Sequence, residues 1–360
     1  MSLPQVISQD PEVVLAECIE WYEGRTGKSL HPAQIDSLYL DFVAYRETIL
    51  RTAINEGARQ GLVDFANLIM LQYLGNFVNT FLLPAQSART TLRFSLTVPV
   101  AGPTVIEKSH RVQAATGAVF LTAYEVFIPA GQTYVDVLAL ADETGEQHNG
   151  YLPNSITQAF DTLPDGVSVS NLTTTDGGSA QEEVERFRKR VKLAMSRPSA
   201  GSLQAFLYLA LSADIRVIDA NVFVMAPGWI RVAILTAGDG SEVLANVFKA
   251  ISKDDSRPLT DNVDAVLASA VNLSIEIALI PRLTGVAGVI LDSAHQVMES
   301  IKAKLKNKLG YDSVSSQISA SLQAIDGVKK VILSGADSPI APDQHAVLSW
   351  TINIMEAEAD

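Results

Sequence analysis

A β-rich stretch gives way to a helical one at Gly177-Gly178-Ser179-Ala180-Gln181-Glu182-Glu183-Val184-Glu185-Arg186-Phe187-Arg188-Lys189-Arg190. Ser179 and Glu182 have the spacing of a capping box, in which the hydroxyl and the carboxylate satisfy free N–H groups of the first helical turn. Acidic residues come first along the stretch and basic residues later, an order that suits the helix dipole. We therefore predict a helix that begins at Ser179 and a domain boundary between residues 178 and 179.

The chain before Pro84 has the apolar period of helices. After Asp36, which stands at a predicted N-cap, apolar residues recur every three or four positions as far as Ala53, and the row resumes after Gly61. Flanking residues such as Ile54 and Met70 make this stripe wide. Two long helices or one bent helix are expected, forming either a small core of their own or a helix pair completed by a partner chain. The predicted partner-helix interface consists of Leu38, Phe42, Tyr45, Ile49, Leu62, Phe65, Ile69, Tyr73 and Phe77.

After Pro84 the period changes to two. Leu92, Phe94 and Leu96 alternate with polar residues, as in a strand with one buried and one wet face. Turn signals such as Pro129-Ala130-Gly131 separate further short strands, which favours a sandwich-like or barrel-like β-domain. The further strand candidates are Arg111–Ala114, Val119–Thr122, Tyr124–Ile128, Tyr134–Ala141 and Val167–Asn171.

The last part of the chain mixes both periods. Val217–Met225 and Trp229–Thr236 flank Ala226-Pro227-Gly228 and predict an antiparallel hairpin. Helical patterns at 241–252, 286–309 and 315–324 alternate with strand patterns near 273–279, 328–333 and 347–354. The predicted fold is a multidomain α+β chain: an N-terminal helical bundle segment over 1–84, a central β-sandwich-like domain over 85–178, and a C-terminal α+β domain with antiparallel strands over 179–360.

Composition limits the classes of function. The 360 residues include 40 acidic and 27 basic side chains and therefore a formal net charge of −13, which disfavours a nucleic-acid partner because such binders neutralise phosphates with a basic face. Cys18 is the single cysteine, so no internal disulfide is expected. No signal peptide and no apolar run of membrane-spanning length is present, and a soluble cytoplasmic chain is the default expectation.

Motifs for catalysis are missing from the sequence. The five histidines are all more than five residues apart, and one cysteine cannot supply a thiolate metal site. Neither a phosphate-binding glycine loop nor a Gly-x-Ser-x-Gly nucleophile elbow occurs. We predict no catalytic residue, no cofactor and no metal ligand.

The order of several strings resembles the baseplate J-like family, the wedge proteins of contractile phage tails and related contractile injection particles. The strongest is the stretch 177–190 quoted above. The others are Leu83-Pro84-Ala85-Gln86-Ser87-Ala88-Arg89-Thr90-Thr91-Leu92-Arg93-Phe94, Phe127-Ile128-Pro129-Ala130-Gly131, Gly150-Tyr151-Leu152-Pro153-Asn154 and Arg257-Pro258-Leu259-Thr260-Asp261.

The resemblance implies a non-enzymatic role in the virion tail baseplate, with assembly in the host cytoplasm. Family members form the inner ring around the central hub and spike and relay the contraction signal to the sheath. The implied partners are other copies of the chain in a ring, a helical-bundle partner among the wedge subunits, the sheath-initiating subunit and the hub, with no nucleic acid and no membrane. The wide stripe from Leu38 to Phe77 suits a shared helical bundle.

Two other functions are weighed against this one. A carbohydrate- or receptor-binding particle protein would use the central β-domain and would need exposed aromatic side chains there. A hydrolase would need a carboxylate pair, which the many acidic residues permit but which no local pattern indicates.

Overall fold

The computed structural model describes residues 3–31, 34–196, 201–238, 240–253, 261–282, 287–335 and 337–355. The chain forms two compact units. The first comprises Met1–Leu82 and Val184–Met195, and the second comprises Leu83–Glu183 and Ser196–Asp360. Residues 257–260 of the last family-like string lie outside the described residues. None of the helices described is long and apolar enough to cross a membrane.

The first unit is helical. Its helices are α1 (Pro11–Thr26), α2 (Ile35–Gln60), α3 (Leu68–Phe77) and α4 (Val184–Ser196). The N-cap of α2 is Gln34, so the predicted cap at Asp36 is wrong. Asp36 instead lies in the first turn, where its carboxylate accepts a hydrogen bond of 2.8 Å from the Tyr22 hydroxyl.

The predicted capping box is also wrong. Helix α4 begins at Val184, five residues after Ser179. Ser179 is buried and extended, and its N–H and C=O both bond to the backbone of Gln86. Glu182 is likewise buried, and its carboxylate accepts the Leu83 N–H at 3.0 Å. Ser179 through its backbone and Glu182 through its carboxylate therefore hold the start of the β-rich segment, and neither caps α4.

The first part of the second unit is a barrel-like antiparallel sheet with the strand order β7-β3-β4-β6-β1-β8. Its strands are β1 (Ser87–Leu96), β3 (Arg111–Ala114), β4 (Val119–Thr122), β6 (Tyr134–Thr144), β7 (Ile156–Ala159) and β8 (Val167–Asn171), and a separate pair is formed by β2 (Thr104–Ile106) and β5 (Val126–Ile128). Alternate residues of β1, including Leu92 and Phe94, enter a closed apolar core with Phe120 and Val137. Burying each such side chain stabilises the fold by roughly 1.5–3 kcal/mol.

Asn171 joins the two edges of this sheet. Its Oδ1 accepts the N–H groups of Ser155 and Ile156, both at 2.9 Å. Its Nδ2 donates to the carbonyls of Leu152 (2.9 Å) and Thr173 (3.0 Å). The side chain is fully buried and therefore links the end of β8 to the start of β7 where no strand ladder does so.

The C-terminal part of the second unit has two three-stranded sheets, each packed with two helices. One sheet has the order β11-β10-β9 with α5 and α6, and the other has the order β13-β12-β14 with α7 and α8. The strands are β9 (Val217–Ala226), β10 (Trp229–Thr236), β11 (Asn262–Leu267), β12 (Ser269–Pro281), β13 (Val328–Ser334) and β14 (Gln344–Ile354); the helices are α5 (Leu203–Ala213), α6 (Gly240–Ile251), α7 (Ala287–Lys306) and α8 (Ser315–Gln323). β9–β10 and β12–β13 are antiparallel, whereas β10–β11 and β12–β14 are parallel.

The predicted α+β multidomain class is confirmed. Strands β3, β4 and β8 have the predicted bounds, and the β9–β10 hairpin lies where its turn signal placed it. The strands β2, β7 and β11 were not predicted. The three-domain division at residues 84 and 178 stays a prediction.

Candidate assembly interface

The inner face of α2 is polar. The fully buried Asn55 accepts the N–H groups of Val6 (2.9 Å) and Ile7 (3.1 Å) and donates to the Ile7 carbonyl at 2.8 Å. Four residues earlier, the Arg51 guanidinium donates to the carboxylate of Glu17 at 2.6 Å. These hydrogen bonds and ion pairs fix α1 and the residues before it against α2, beside the buried Val14 of α1 and Ala44 of α2.

The outer face of α2 is apolar, the reverse of an ordinary surface helix. Phe42 is 62% exposed, and the three other predicted interface residues on this helix are exposed with it. Tyr39, Val43 and Leu50, which were not part of the prediction, are exposed as well. Their spacing of four and seven was visible in the sequence as a second row beside the first.

These residues form two rows along α2. One row contains Leu38, Phe42, Tyr45 and Ile49, and the other contains Tyr39, Val43, Leu50 and Ile54. At 3.6 residues per turn the centres of the rows lie about 120° apart around the helix axis, and each lies about as far from the polar inner face. Helix α2 thus presents two separate apolar seams to its surroundings.

Helix α3 also has an exposed apolar side, but unlike α2 its inner face is apolar. Leu71 is buried in a cluster with Ala66 and with Phe187 and Val191 of α4. Ile69, Tyr73 and Phe77 lie at intervals of four on the opposite side, and Phe77 is 86% exposed. Of the nine predicted interface residues, only Phe65, in the segment between α2 and α3, is half-buried, and the other eight are exposed.

Arginines of α4 hold the segments that flank α3. Arg188 donates to the carbonyls of Val63 and Ala66, the latter at 2.9 Å. Arg190 is buried, and both of its terminal nitrogens lie 3.2 Å from the Phe81 carbonyl. Arg188 and Arg190 therefore bind main-chain oxygens before and after α3 and hold both ends of that helix against α4.

The second unit contains a cluster of charged side chains around a cavity of about 300 Å³. Glu242 of α6 accepts hydrogen bonds from Arg89 of β1 and from Arg216, which also donates to Asp214 at 2.8 Å. Burial raises the pKa of Asp214, but the hydrogen bonds from Arg216 and Asn246 outweigh it and hold that pKa below its ordinary value. Because each of these guanidinium groups is paired with a carboxylate, the cluster ties the barrel to α6.

No group of histidine, cysteine, aspartate and glutamate side chains suited to a metal ion occurs in the part of the chain that the structure describes. The exposed apolar rows of α2 and α3 are the feature of the described residues that calls for a partner.

Comparison with known proteins identifies the barrel. Residues 91–178 match the family model described as the Baseplate J-like protein barrel domain. This segment is similar to the baseplate J-like barrel domain. The resemblance noted from the sequence is thereby confirmed, and the matched range runs from within β1 to Gly178, just beyond β8.

A curated relative and a solved structure are also similar to this chain. Baseplate protein J of Escherichia phage P2 is 31% identical over 153 residues, which are 41% of this chain and 50% of that protein. The chain thus matches about half the length of this relative. A chain in the cryo-EM structure of the anti-feeding prophage baseplate, 6-fold symmetrised, is 13% identical over 93% of this chain and 90% of that chain, with a TM-score of 0.44. The family model and the phage P2 relative are both described as baseplate proteins, in agreement with the predicted structural role.

Proposed function

We propose that this chain is a structural wedge protein of a contractile-tail baseplate, in a phage virion or a related particle. In this role it forms part of the inner ring around the hub and relays the contraction signal to the sheath. The baseplate J-like barrel domain and the name of the phage P2 relative support the particle type. The observation that carries a role in assembly is the outward apolar face of α2, with its polar face turned inward.

The apolar rows on α2 and α3 are the proposed binding surface for helices of other wedge subunits. Burying one Leu, Ile or Phe side chain is worth roughly 1.5–3 kcal/mol, so several exposed residues together provide enough free energy for a stable contact. The two seams of α2 favour a bundle in which this helix meets two partner helices in addition to α1. Other copies of the chain and the sheath-initiating subunit are the proposed partners.

Phe42→Asp and Ile69→Asp test this surface. Both residues are more than 60% exposed, so each substitution should change the free energy of unfolding by less than about 0.5 kcal/mol. Each should nevertheless abolish particle assembly, because a carboxylate cannot enter an apolar seam without a large desolvation penalty. The measurement is electron microscopy of particles from a gene-deleted strain that carries each variant, together with the melting temperature of the purified chain.

Gln72→Asp on α3 is the matched control for Ile69→Asp. Gln72 is an exposed polar position to the side of the apolar row on that helix, so the same charge should leave assembly intact. Normal particles with Phe42→Asp and Ile69→Asp would exclude the proposed helix interface. Intact baseplates in the gene-deleted strain itself would exclude the structural role.

The carbohydrate-binding alternative finds less support in the barrel. Its exposed aromatic side chains are Tyr124, Phe127, Tyr134 and Phe160. The guanidinium of Arg93 lies 4.3 Å from the ring centre of Tyr134, and that of Arg111 lies 4.3 Å from the ring centre of Phe160. Two of the four rings are therefore engaged by cations of the barrel itself.

A further inference from the structure

The barrel and the C-terminal part of the second unit are joined only indirectly along the chain. After β8 the chain forms α4, which belongs to the first unit, and it enters the C-terminal part at α5. In the described part of the chain, no strand of the barrel shares a sheet with a strand of the C-terminal part. The placement of the barrel against the C-terminal part therefore depends on contacts between side chains and loops.

A carboxylate of α6 connects the two parts. Glu242 lies in the first turn of α6, and its Oε2 accepts a hydrogen bond of 2.9 Å from the guanidinium of Arg216, just before β9. The same oxygen is paired with the guanidinium of Arg89, on β1 of the barrel. This oxygen atom thus bridges a cation of the barrel and a cation of the C-terminal part.

The ion pairs on the two sides of this bridge differ in burial. The side chains of Arg216 and Asp214 are 7% and 3% exposed, and they form a bidentate pair with distances of 3.0 and 2.8 Å. Asn246 of α6 also donates to Asp214, at 3.0 Å. The side chains of Arg89 and Glu242 are 37% and 43% exposed. Water therefore reaches the second pair, which breaks readily because solvent and salt weaken an exposed ion pair.

The two arginines lie close to each other. A Cβ built on Gly177 would lie 3.1 Å from Nε of Arg89 and 3.5 Å from Nη1 of Arg216, so both guanidinium groups converge on this glycine. Burial and then the positive charge of Arg216 lower the pKa of Arg89, while Asp214 and Asp176 each raise it to a smaller extent. The shared carboxylate of α6 therefore offsets a repulsion between two neighbouring cations.

The bridge forms part of the wall of the cavity of about 300 Å³. The wall is formed on the barrel side by residues such as Thr91, Leu138 and Thr173, and on the other side by Arg216 and Glu242. The two parts are thus separated at this point by an open space rather than by packed apolar side chains. Breaking the bridge here exposes little apolar surface, so the free-energy cost of opening is small.

We propose that the pair of Arg89 and Glu242 is an electrostatic latch that sets how the barrel sits against the C-terminal part. The latch is closed while the Glu242 carboxylate is shared by Arg89 and Arg216. It opens when Arg89 is released to solvent, and the barrel then moves away from α6 and the cavity widens. The latch lies within one copy of the chain, so this inference goes beyond the proposed role in assembly and does not depend on it.

The distance between spin labels on the two parts tests the latch. The labels are attached through Gln158→Cys on β7 and Ser349→Cys on β14, both exposed positions, in the full chain with Cys18→Ser. The labelled protein is diluted with unlabelled protein, so that only distances within one copy are measured. Pulsed electron paramagnetic resonance should give a narrow distance distribution at about 0.1 M salt. At about 1 M salt the distribution should shift and broaden, because the screening length falls from about 10 Å to about 3 Å.

Neutral variants separate the latch from a general effect of salt. Arg89→Gln and Glu242→Gln should each broaden the distribution at low salt. Glu242→Gln should broaden it more, since Arg89 and Arg216 then face each other without the shared carboxylate. Combining both substitutions should return the width to that of Arg89→Gln alone, because the two residues act as one unit. The distribution of the double variant should no longer respond to salt.

Arg93→Gln is the matched control. Arg93 also lies on β1 and is paired with Asp136 of β6 at 2.7 Å, and both side chains are about as exposed as those of the latch. This pair lies within the barrel, so its loss should leave the narrow distribution unchanged. An unchanged circular dichroism spectrum shows that each variant is folded. A distribution that stays narrow in Glu242→Gln, or that broadens equally in Arg93→Gln, would overturn the latch.

Discussion

Asn171 shows how much one side chain contributes to the barrel. Its four side-chain hydrogen bonds replace a strand ladder between β7 and β8; the bond from the Ile156 N–H is buried and the other three are partly buried. Asn171→Ala leaves two N–H and two C=O groups without these partners. Each such group costs about 1–3 kcal/mol, and with relaxation we expect a total loss of about 3 kcal/mol in the free energy of unfolding. Urea denaturation monitored by far-ultraviolet circular dichroism measures this free energy of unfolding.

Two further variants separate this effect from other changes in β8. Asn171→Asp keeps the acceptor and loses both donors, so it should also destabilise the chain. Ser168→Ala removes one exposed hydrogen bond to the Ser95 carbonyl and should cost less than about 1 kcal/mol. Equal stabilities for Asn171→Ala and Ser168→Ala would show that the barrel closes without Asn171.

Local signals at single residues were the least reliable part of the sequence. Ser179 and Glu182 have capping-box spacing, yet both bond to the backbone near β1, more than ninety residues away. Asp36 was predicted as a cap and is instead the second residue of the helix. A short polar side chain serves a cap, a turn or a strand edge equally well, and only the tertiary partner decides which.

At the scale of elements, periodicity predicted the helices and strands but not the direction in which α2 faces. An apolar stripe is ordinarily the inner face of a helix. Here Asn55 and Arg51 occupy the inner face, since the residues before α1 offer main-chain groups that need hydrogen bonds. In the sequence, the polar inner face is visible only as a row of polar residues on the side of α2 opposite the apolar rows. The strands β2 and β7 were missed because three or four residues are too few to show a period.

The contact between α3 and α4 depends on Gly75. A Cβ at this position would lie 2.6 Å from the Thr80 carbonyl oxygen and 2.9 Å from Cζ of Phe187. Gly75→Ala gains helix propensity of about 1 kcal/mol, but the clash with a backbone oxygen costs more, and we expect a net loss of about 1–2 kcal/mol. Gly57→Ala in α2 is the matched control, since nothing lies within 4 Å of its Cβ, and it should stabilise the chain by about 0.5–1 kcal/mol. Thermal denaturation of both variants should therefore show shifts of opposite sign, and a stabilised Gly75→Ala would exclude close packing at that point.

At the scale of the whole molecule, the first unit is built from two segments that are far apart in the sequence. Helix α4 follows the barrel in sequence, yet its Phe187 and Val191 pack into the apolar cluster of the first unit. The predicted boundary grouped residues 179–360 together, because the composition changes at Gly177-Gly178 and nothing in the sequence of α4 shows which core receives it. A unit assembled from two separate segments can be recognised only from the structure.

This division predicts two unfolding transitions. The N-terminal unit is the smaller one and buries less apolar surface, so it should unfold at the lower temperature. Phe187→Ala should destabilise it by about 3–5 kcal/mol and move only the lower transition in scanning calorimetry. Phe94→Ala, in the barrel core, is the matched control and should move only the upper one. If Phe187→Ala instead moved the transition that responds to Phe94→Ala, α4 would fold with the barrel and the C-terminal sheets. The boundary drawn from the sequence at residue 178 would then describe the unit that folds.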